Sequence, residues 1–191
     1  TPAAVKWFPP EKKGLITGVF NEKSIAWAIA ELIMREGGEC AFSYMPDKAD
    51  DPRQKNLNRL QKLTEGLPNA KFLAPMDATK DDQIAGVMTR CEAELGKIDF
   101  LLHSIAFAPP EDLRGDTVAT SREGFKVAME ISAYSLIALT NAARGVMNDG
   151  ASVLTLTYFG GEKCVPGYNV MGVCKAALDS CMKYAAFDLG P

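Results

Sequence analysis

Apolar residues recur along this chain at two spacings. Short apolar runs at Lys13–Thr17, Glu39–Tyr44, 70–74, Ile98–His103 and 151–156 have the length of strands buried on both faces. Between them, apolar residues fall three and four apart, as amphipathic helices require. Ile25, Ala28, Ile29, Leu32 and Ile33 form one such stripe, opened by Ser24 as N-cap and closed by Gly37-Gly38. Leu57, Leu60 and Leu63 predict a helix over 52–65. Ile84, Val87, Met88, Cys91 and Leu95 predict another, stopped at Gly96. The stretch 125–147 is apolar on nearly all sides, which predicts one long helix buried over most of its circumference. A last helix is predicted over 168–189. Residues 1–10 are Pro-rich and read as an arm pinned by Trp7 and Phe8, and 105–120 reads as a long loop around Pro109-Pro110.

Strand and helix thus alternate five times. The alternation predicts an α/β fold, a Rossmann-like doubly wound parallel sheet with helices on both faces, in a single domain over 1–191. In that architecture ligands bind beyond the carboxyl ends of the strands, where strand order reverses. The loops that matter are then 18–24, 44–47, 77–78, 104–110 and 158–168.

Composition narrows the function. The 191 residues are 47% hydrophobic and 24% charged, ordinary for one globular domain. A net charge of −3 without a basic cluster argues against nucleic acid as a partner. No apolar run spans a bilayer and no signal peptide is visible, so no membrane partner is expected. Five cysteines, Cys40, Cys91, Cys164, Cys174 and Cys181, are scattered without CxxC spacing. They read as reduced thiols of a cytoplasmic protein, and no metal site is predicted. Cys174 and Cys181 share a helix face but stand two turns, about 10 Å, apart, too far to bridge.

Candidate chemistry concentrates at 157–175, TYFGGEKCVPGYNVMGVCK. Tyr168 and Lys175 are seven apart, so in a helix both leave one face. An ammonium beside a phenol favours the phenolate and eases proton donation. The plainer alternative makes Tyr168 a cap and Lys175 a surface lysine. Upstream, Gly18 permits close backbone approach, and the amides of Ser24, Ile25 and Ala26 can face a pyrophosphate. The turn is not GxGxxG, and a simple strand–helix connection is the alternative. An acid at the end of the second strand would hold the adenosine ribose and a base a 2′-phosphate. Met45 is neither, Asp47 lies two residues on with Lys48 beside it pulling the other way, and no arginine comes before Arg53, which leans to NADH over NADPH. Asp77 either accepts from an adenine amino group or caps the next helix. His103, the sole histidine, reads as structural.

With these pieces in place the chain resembles the enoyl-[acyl-carrier-protein] reductases of bacterial fatty acid synthesis, within the short-chain dehydrogenase/reductase superfamily. The resemblance runs from about Gly14 to the last residue and rests on TGVFNEKSIAWAIA, LLHSIAFAP, MEISAYSL and LTYFGGEKCVPGYNVMGVCKAALDS. Ser-Ile-Ala in place of later glycines, and two tyrosines ten apart, set it off from most of the superfamily. The resemblance implies reduction of trans-2-enoyl thioesters carried on acyl carrier protein, with NAD(H) as cofactor and NADP(H) left open. It implies that Gly18, Ser24 and Ile25 lie along the pyrophosphate, that Met45 flanks the adenosine, and that Asp77 and Ala78 hold the adenine. Ser104, Ile105 and Ala106 would line the ribose and nicotinamide. Lys175 would hold the ribose hydroxyls and Tyr168 the thioester carbonyl, with Tyr158 and Met171 bordering the acyl chain beside Ala106. Tyr158, Tyr168 and Lys175 are thereby the implied catalytic residues.

Family members continue beyond Leu189 with further strands, a loop over the nicotinamide and closing helices, so C-terminal strands and the lid are expected to be absent from this chain. Two other readings remain open: a carbonyl or alcohol dehydrogenase of the same superfamily, with Thr155 standing for its serine, and a non-catalytic dinucleotide sensor. The apolar circumference of the last two helices exceeds what one sheet face covers, and with the resemblance it predicts a homotetramer.

Overall fold

The structure, a computed structural model, describes residues 8–190. The elements follow as β1 (Lys13–Thr17), α1 (Ile25–Arg35), β2 (Glu39–Tyr44), α2 (Lys55–Thr64), β3 (Ala70–Pro75), α3 (Asp81–Leu95), β4 (Ile98–His103), α4 (Arg122–Met129), α5 (Ser135–Ala143), β5 (Met147–Thr155) and α6 (Asn169–Leu189). A π-helical turn, Glu130–Tyr134, joins α4 to α5, and short 3-10 turns lie at Thr117–Ala119 and Phe159–Gly161.

The five strands form one sheet in the order β3-β2-β1-β4-β5. β1 runs parallel to β2, pairing Lys13 with Glu39 through Thr17 with Ser43, and parallel to β4, pairing Gly14 with Phe100. The chain builds outward from β1 to β3, then returns to lay β4 on the other side of β1. That reversal puts the switch point between β1 and β4, as the Rossmann-like expectation required. β1 and β4 are buried almost throughout, so they read as continuous apolar runs, whereas the edge strand β3 alternates. Ile16, Trp27, Ile33, Phe42, Leu60 and Phe100 share one core, and Phe8 packs its edge on Phe100 at 5.7 Å. The other proposed anchor of the arm, Trp7, lies outside the described residues.

The described residues divide into two compact units, 8–104 with 142–154, and 105–141 with 155–190. The first holds the sheet and α1–α3. The second holds the 105–120 loop, α4, the π turn, most of α5, and α6. Its core gathers Ala108, Ala128, Val170, Met171 and Cys174, with Tyr168 packed against it.

Two element boundaries differ from expectation. The single helix predicted over 125–147 starts earlier, is interrupted by the π turn, and ends at Ala143. Val146 then donates to the Ala143 carbonyl and accepts from Ile98, which starts the sheet edge, so Met147 belongs to β5 and not to a helix. The last helix begins at Asn169, itself at φ +39°, with Tyr168 as its N-cap residue. No helix of the described residues is long and apolar enough to cross a membrane.

Candidate active site

At the switch point the two strand ends are locked together. Thr17 Oγ1 donates to the Leu102 carbonyl at 2.9 Å and accepts from the Ser104 amide at 3.2 Å. Gly18 follows at φ +80°, and a Cβ there would run into the Ser104 carbonyl. Only glycine fits this position, on both counts. The turn then coils on Ser24. Its hydroxyl accepts from the amides of Phe20 and Asn21, each at 3.0 Å, and makes no cap bond to the helix. Ser24 is thus the N-cap residue as predicted, but its oxygen is committed to the turn. The first amides of α1, Ile25 and Ala26, are left for another acceptor, which suits an anion.

The second strand ends differently from the simple reading. Asp47 accepts from the amides of Asn56 at 2.8 Å and Leu57 at 3.0 Å, one with each oxygen, and so caps α2. The acid weighed for a ribose contact is spent on a helix terminus. Met45 is exposed, with its carbonyl held by Asn56 Nδ2 at 3.0 Å. Arg59 lies over the Phe20 ring at 4.1 Å, so α2 brings a cation to the 18–24 turn, which the local sequence around Met45 did not reveal. Asp77 Oδ1 takes both the amide and the hydroxyl of Thr79, at 2.9 and 2.8 Å, while the N-cap of α3 is Lys80. Asp77 therefore shapes its own turn beside Ala78 and does not cap the helix. His103 is 1% exposed at the end of β4, in line with its structural reading.

The second unit carries Ile105, Ala106, Tyr158, Tyr168, Met171 and Lys175. The rings of Tyr158 and Tyr168 lie 4.6 Å apart, tilted by 59°. Two glycines make this possible. A Cβ on Gly160 would strike the Tyr168 ring, and one on Gly172 would come 2.8 Å from the Gly160 carbonyl. The 159–161 turn can then rest directly on α6. Asn169 holds its left-handed backbone by donating both amide hydrogens, to Leu113 at 2.8 Å and Gly115 at 2.7 Å. Asn tolerates this region better than most residues.

Lys175 is not a surface residue. It is 6% exposed, and its Nζ donates to the Leu156 carbonyl at 2.6 Å. Burial pulls its pKa below the ordinary lysine value, against smaller upward pushes from Asp179 and Cys174. Tyr168 departs from expectation. Burial first, then Tyr158 and Cys174, push its phenol up rather than down. The ammonium is committed to Leu156, and desolvation wins. A raised phenol stays protonated at neutral pH, so Tyr168 is a persistent hydrogen-bond donor and not a ready phenolate. All five cysteines are free, and burial pushes Cys40 and Cys91 up to about 12 and Cys174 to about 11, as for inert thiols. Among the described residues no acidic, histidine and cysteine cluster could hold a metal.

A parallel sheet with its switch point at Gly18 and an uncapped helix start beside it define a doubly wound α/β fold, and the second unit by itself carries a Tyr158–Tyr168 pair and a buried lysine. The chain belongs to the enoyl-(acyl carrier protein) reductase family, whose profile matches residues 18–191. It is 42% identical over 179 residues to the enoyl-[acyl-carrier-protein] reductase (NADH) of Rickettsia felis, covering 94% of this chain and 66% of that protein. It is also 42% identical to the corresponding enzyme of Aquifex aeolicus, at 93% and 63% coverage. Among solved structures it superimposes with TM-score 0.86 on the Anaplasma phagocytophilum reductase in complex with NAD, at 40% identity, covering 94% and 66% of the two chains. The Bacillus cereus reductase, solved with NADP+ and indole naphthyridinone, follows at TM-score 0.85 and 39% identity, at 94% and 67% coverage. The chain spans just under two thirds of the length of the first of these curated relatives.

Proposed function

We propose that the protein reduces the 2,3 double bond of trans-2-enoyl thioesters on acyl carrier protein, with NADH, in fatty acid elongation. The observation that carries this reading is the Tyr158–Tyr168 pair at 4.6 Å in a unit that also buries Lys175, its ammonium held by the Leu156 carbonyl. A single tyrosine would serve carbonyl reduction equally well; the second ring, half exposed at 47%, adds a flat apolar wall suited to an acyl chain.

The residues present fit a dinucleotide. Gly18 allows close backbone approach, the amides of Ser24 and Ile25 start α1, and Asp77 Oδ2 is left over after Thr79 takes the other oxygen. Met45, Asp77 and Ala78 would hold the adenosine end, Ser104, Ile105 and Ala106 the nicotinamide half, and Lys175 the ribose hydroxyls. When bound, NADH would supply the hydride for C3, being itself oxidised to NAD+. Charge then gathers on the thioester oxygen. Tyr168, a phenol and so protonated at neutral pH, would donate a hydrogen bond there, and a proton taken up at C2 would complete the reduction. Lys175 adds positive charge and orientation. Tyr158, Met171 and Ala106 would border the acyl chain. NADPH remains an alternative cofactor, which Arg59 near the phosphate turn would favour; the Bacillus cereus relative was solved with NADP+.

The two units are taken as one dinucleotide-binding domain of a cytoplasmic homotetramer. Exposed Val173, Met182, Tyr184 and Phe187 on α6, with Phe125 and Tyr134, support helix–helix association. The test is NADH and NADPH oxidation by the full-length protein with a C4 enoyl thioester. Reduction of ketones but not of enoyl thioesters would overturn the reading, and sedimentation as a monomer would remove the tetramer.

A further inference from the structure

Ser132 is a fully buried polar side chain in the middle of the π turn, 0% exposed. Its hydroxyl donates to the Phe107 carbonyl at 2.9 Å and accepts from the Phe107 amide at 2.9 Å. It also lies 3.8 Å from Met171 Sδ. One side chain thus holds both polar groups of one loop residue. π turns insert a residue into a helix and are found at functional sites more often than chance. Here the insertion has a visible use, because it places a serine inside the unit, against the loop that follows β4.

The consequence follows from peptide planarity. In a trans peptide the carbonyl and the next amide point in opposite directions. With the Phe107 amide fixed on Ser132, the Ala106 carbonyl must face away from it. With the Phe107 carbonyl fixed on Ser132, the Ala108 amide must face away too. Both flanking peptide planes are set by one hydroxyl, while Ala106 and the Phe107 ring remain exposed. We propose that Ser132 is a positioning residue for the reductase reaction: it fixes the orientation of the 105–108 backbone and seats Met171, so that the nicotinamide side and the acyl side of the site are set together. This rests on the enoyl-thioester reading above for its effect on catalysis, but the geometry stands without it.

Ser132→Ala removes the hydroxyl at little change in volume, and Ser132→Cys keeps a weak donor and acceptor at nearly the same size. Amide exchange is the first measurement. The Phe107 amide exchanges at least tenfold faster in Ser132→Ala, while Leu102 in β4 is unchanged, which separates local release from global unfolding. Steady-state kinetics of the full-length protein are the second. Ser132→Ala lowers kcat/KM for a C4 enoyl thioester about tenfold or more, with NADH affinity changed less than threefold, and Ser132→Cys recovers part of the loss. Unchanged Phe107 exchange in Ser132→Ala overturns the proposal. Altered exchange with unchanged kcat/KM overturns its catalytic half. If the unmodified protein reduces no enoyl thioester, the functional reading fails, and the exchange experiment still decides whether Ser132 sets the loop.

Discussion

Tyr168→Phe separates chemistry from packing. The substitution removes one oxygen and leaves the ring. The ring is what packs: it stands 4.6 Å from Tyr158 and closes on Gly160. Among the described residues the phenol oxygen has no hydrogen-bond partner in the protein, so removing it leaves no orphaned group behind. The stability change should therefore stay within about 0.5 kcal/mol, as for substitutions that touch no buried network. The activity change should be large. A donor aimed at a developing oxyanion is worth about 2.7–4 kcal/mol, or 10²–10³ in kcat. The assay is NADH oxidation with a short enoyl thioester at saturating cofactor, run beside a thermal melt. The loss should fall on kcat, since the interaction strengthens only as charge develops. Retention of more than a third of wild-type kcat in a folded Tyr168→Phe protein would refute the assignment. A parallel loss of stability would mean that the ring, not the phenol, was being read.

Gly18→Ala places a side chain at φ +80° against the Ser104 carbonyl; backbone strain and overpacking together should cost about 2–5 kcal/mol, read as a fall in Tm, with dinucleotide binding lost in the folded fraction. Gly172→Ala brings a methyl 2.8 Å from the Gly160 carbonyl and pushes the Tyr158 turn off α6; kcat should fall by up to about 10²-fold for a shift near 1 Å, and unchanged kinetics would show that the contact positions nothing. Lys175, with its pKa below the ordinary lysine value, should give kcat/KM an alkaline limb as the ammonium is lost. The same group sets a sign for stability. Below the folded pKa both states hold the proton and the buried charge costs stability. Between that value and the unfolded one the native state alone has released it, so this cost is relieved as pH rises. Comparing pH-stability curves of the wild type and Lys175→Met checks it: a wild-type curve with no steeper rise in that window would sink the argument. Asp47→Ala should cost about 0.5–2 kcal/mol through the lost α2 cap and leave the choice between NADH and NADPH unchanged, as dinucleotide titrations would report.

Much of the fold could be read from period alone. Strands such as Lys13–Thr17 and Ile98–His103 and the stop at Gly96 were legible because buried parallel strands and capped helices leave local patterns. The stretch 125–147 was not. A π turn re-aims the side chains beyond it by about 100°, so α4 and α5 present two different faces, and their union looks apolar all round. The strand predicted over 151–156 was legible, but it starts earlier, at Met147, a residue that the predicted helix had included.

The sequence by itself determined the order of elements, the single-glycine turn after β1, and the residue types Tyr158, Tyr168 and Lys175 that any reductase reading must use. Those depend on spacing along the chain. Tertiary structure decided what each group is free to do, because that depends on neighbours distant in sequence. It gave Asp47 to a helix terminus and Ser24 to its own turn. It buried Lys175 on the Leu156 carbonyl, where desolvation governs its proton. It raised the Tyr168 phenol where the bare Tyr-x6-Lys pair predicted the reverse.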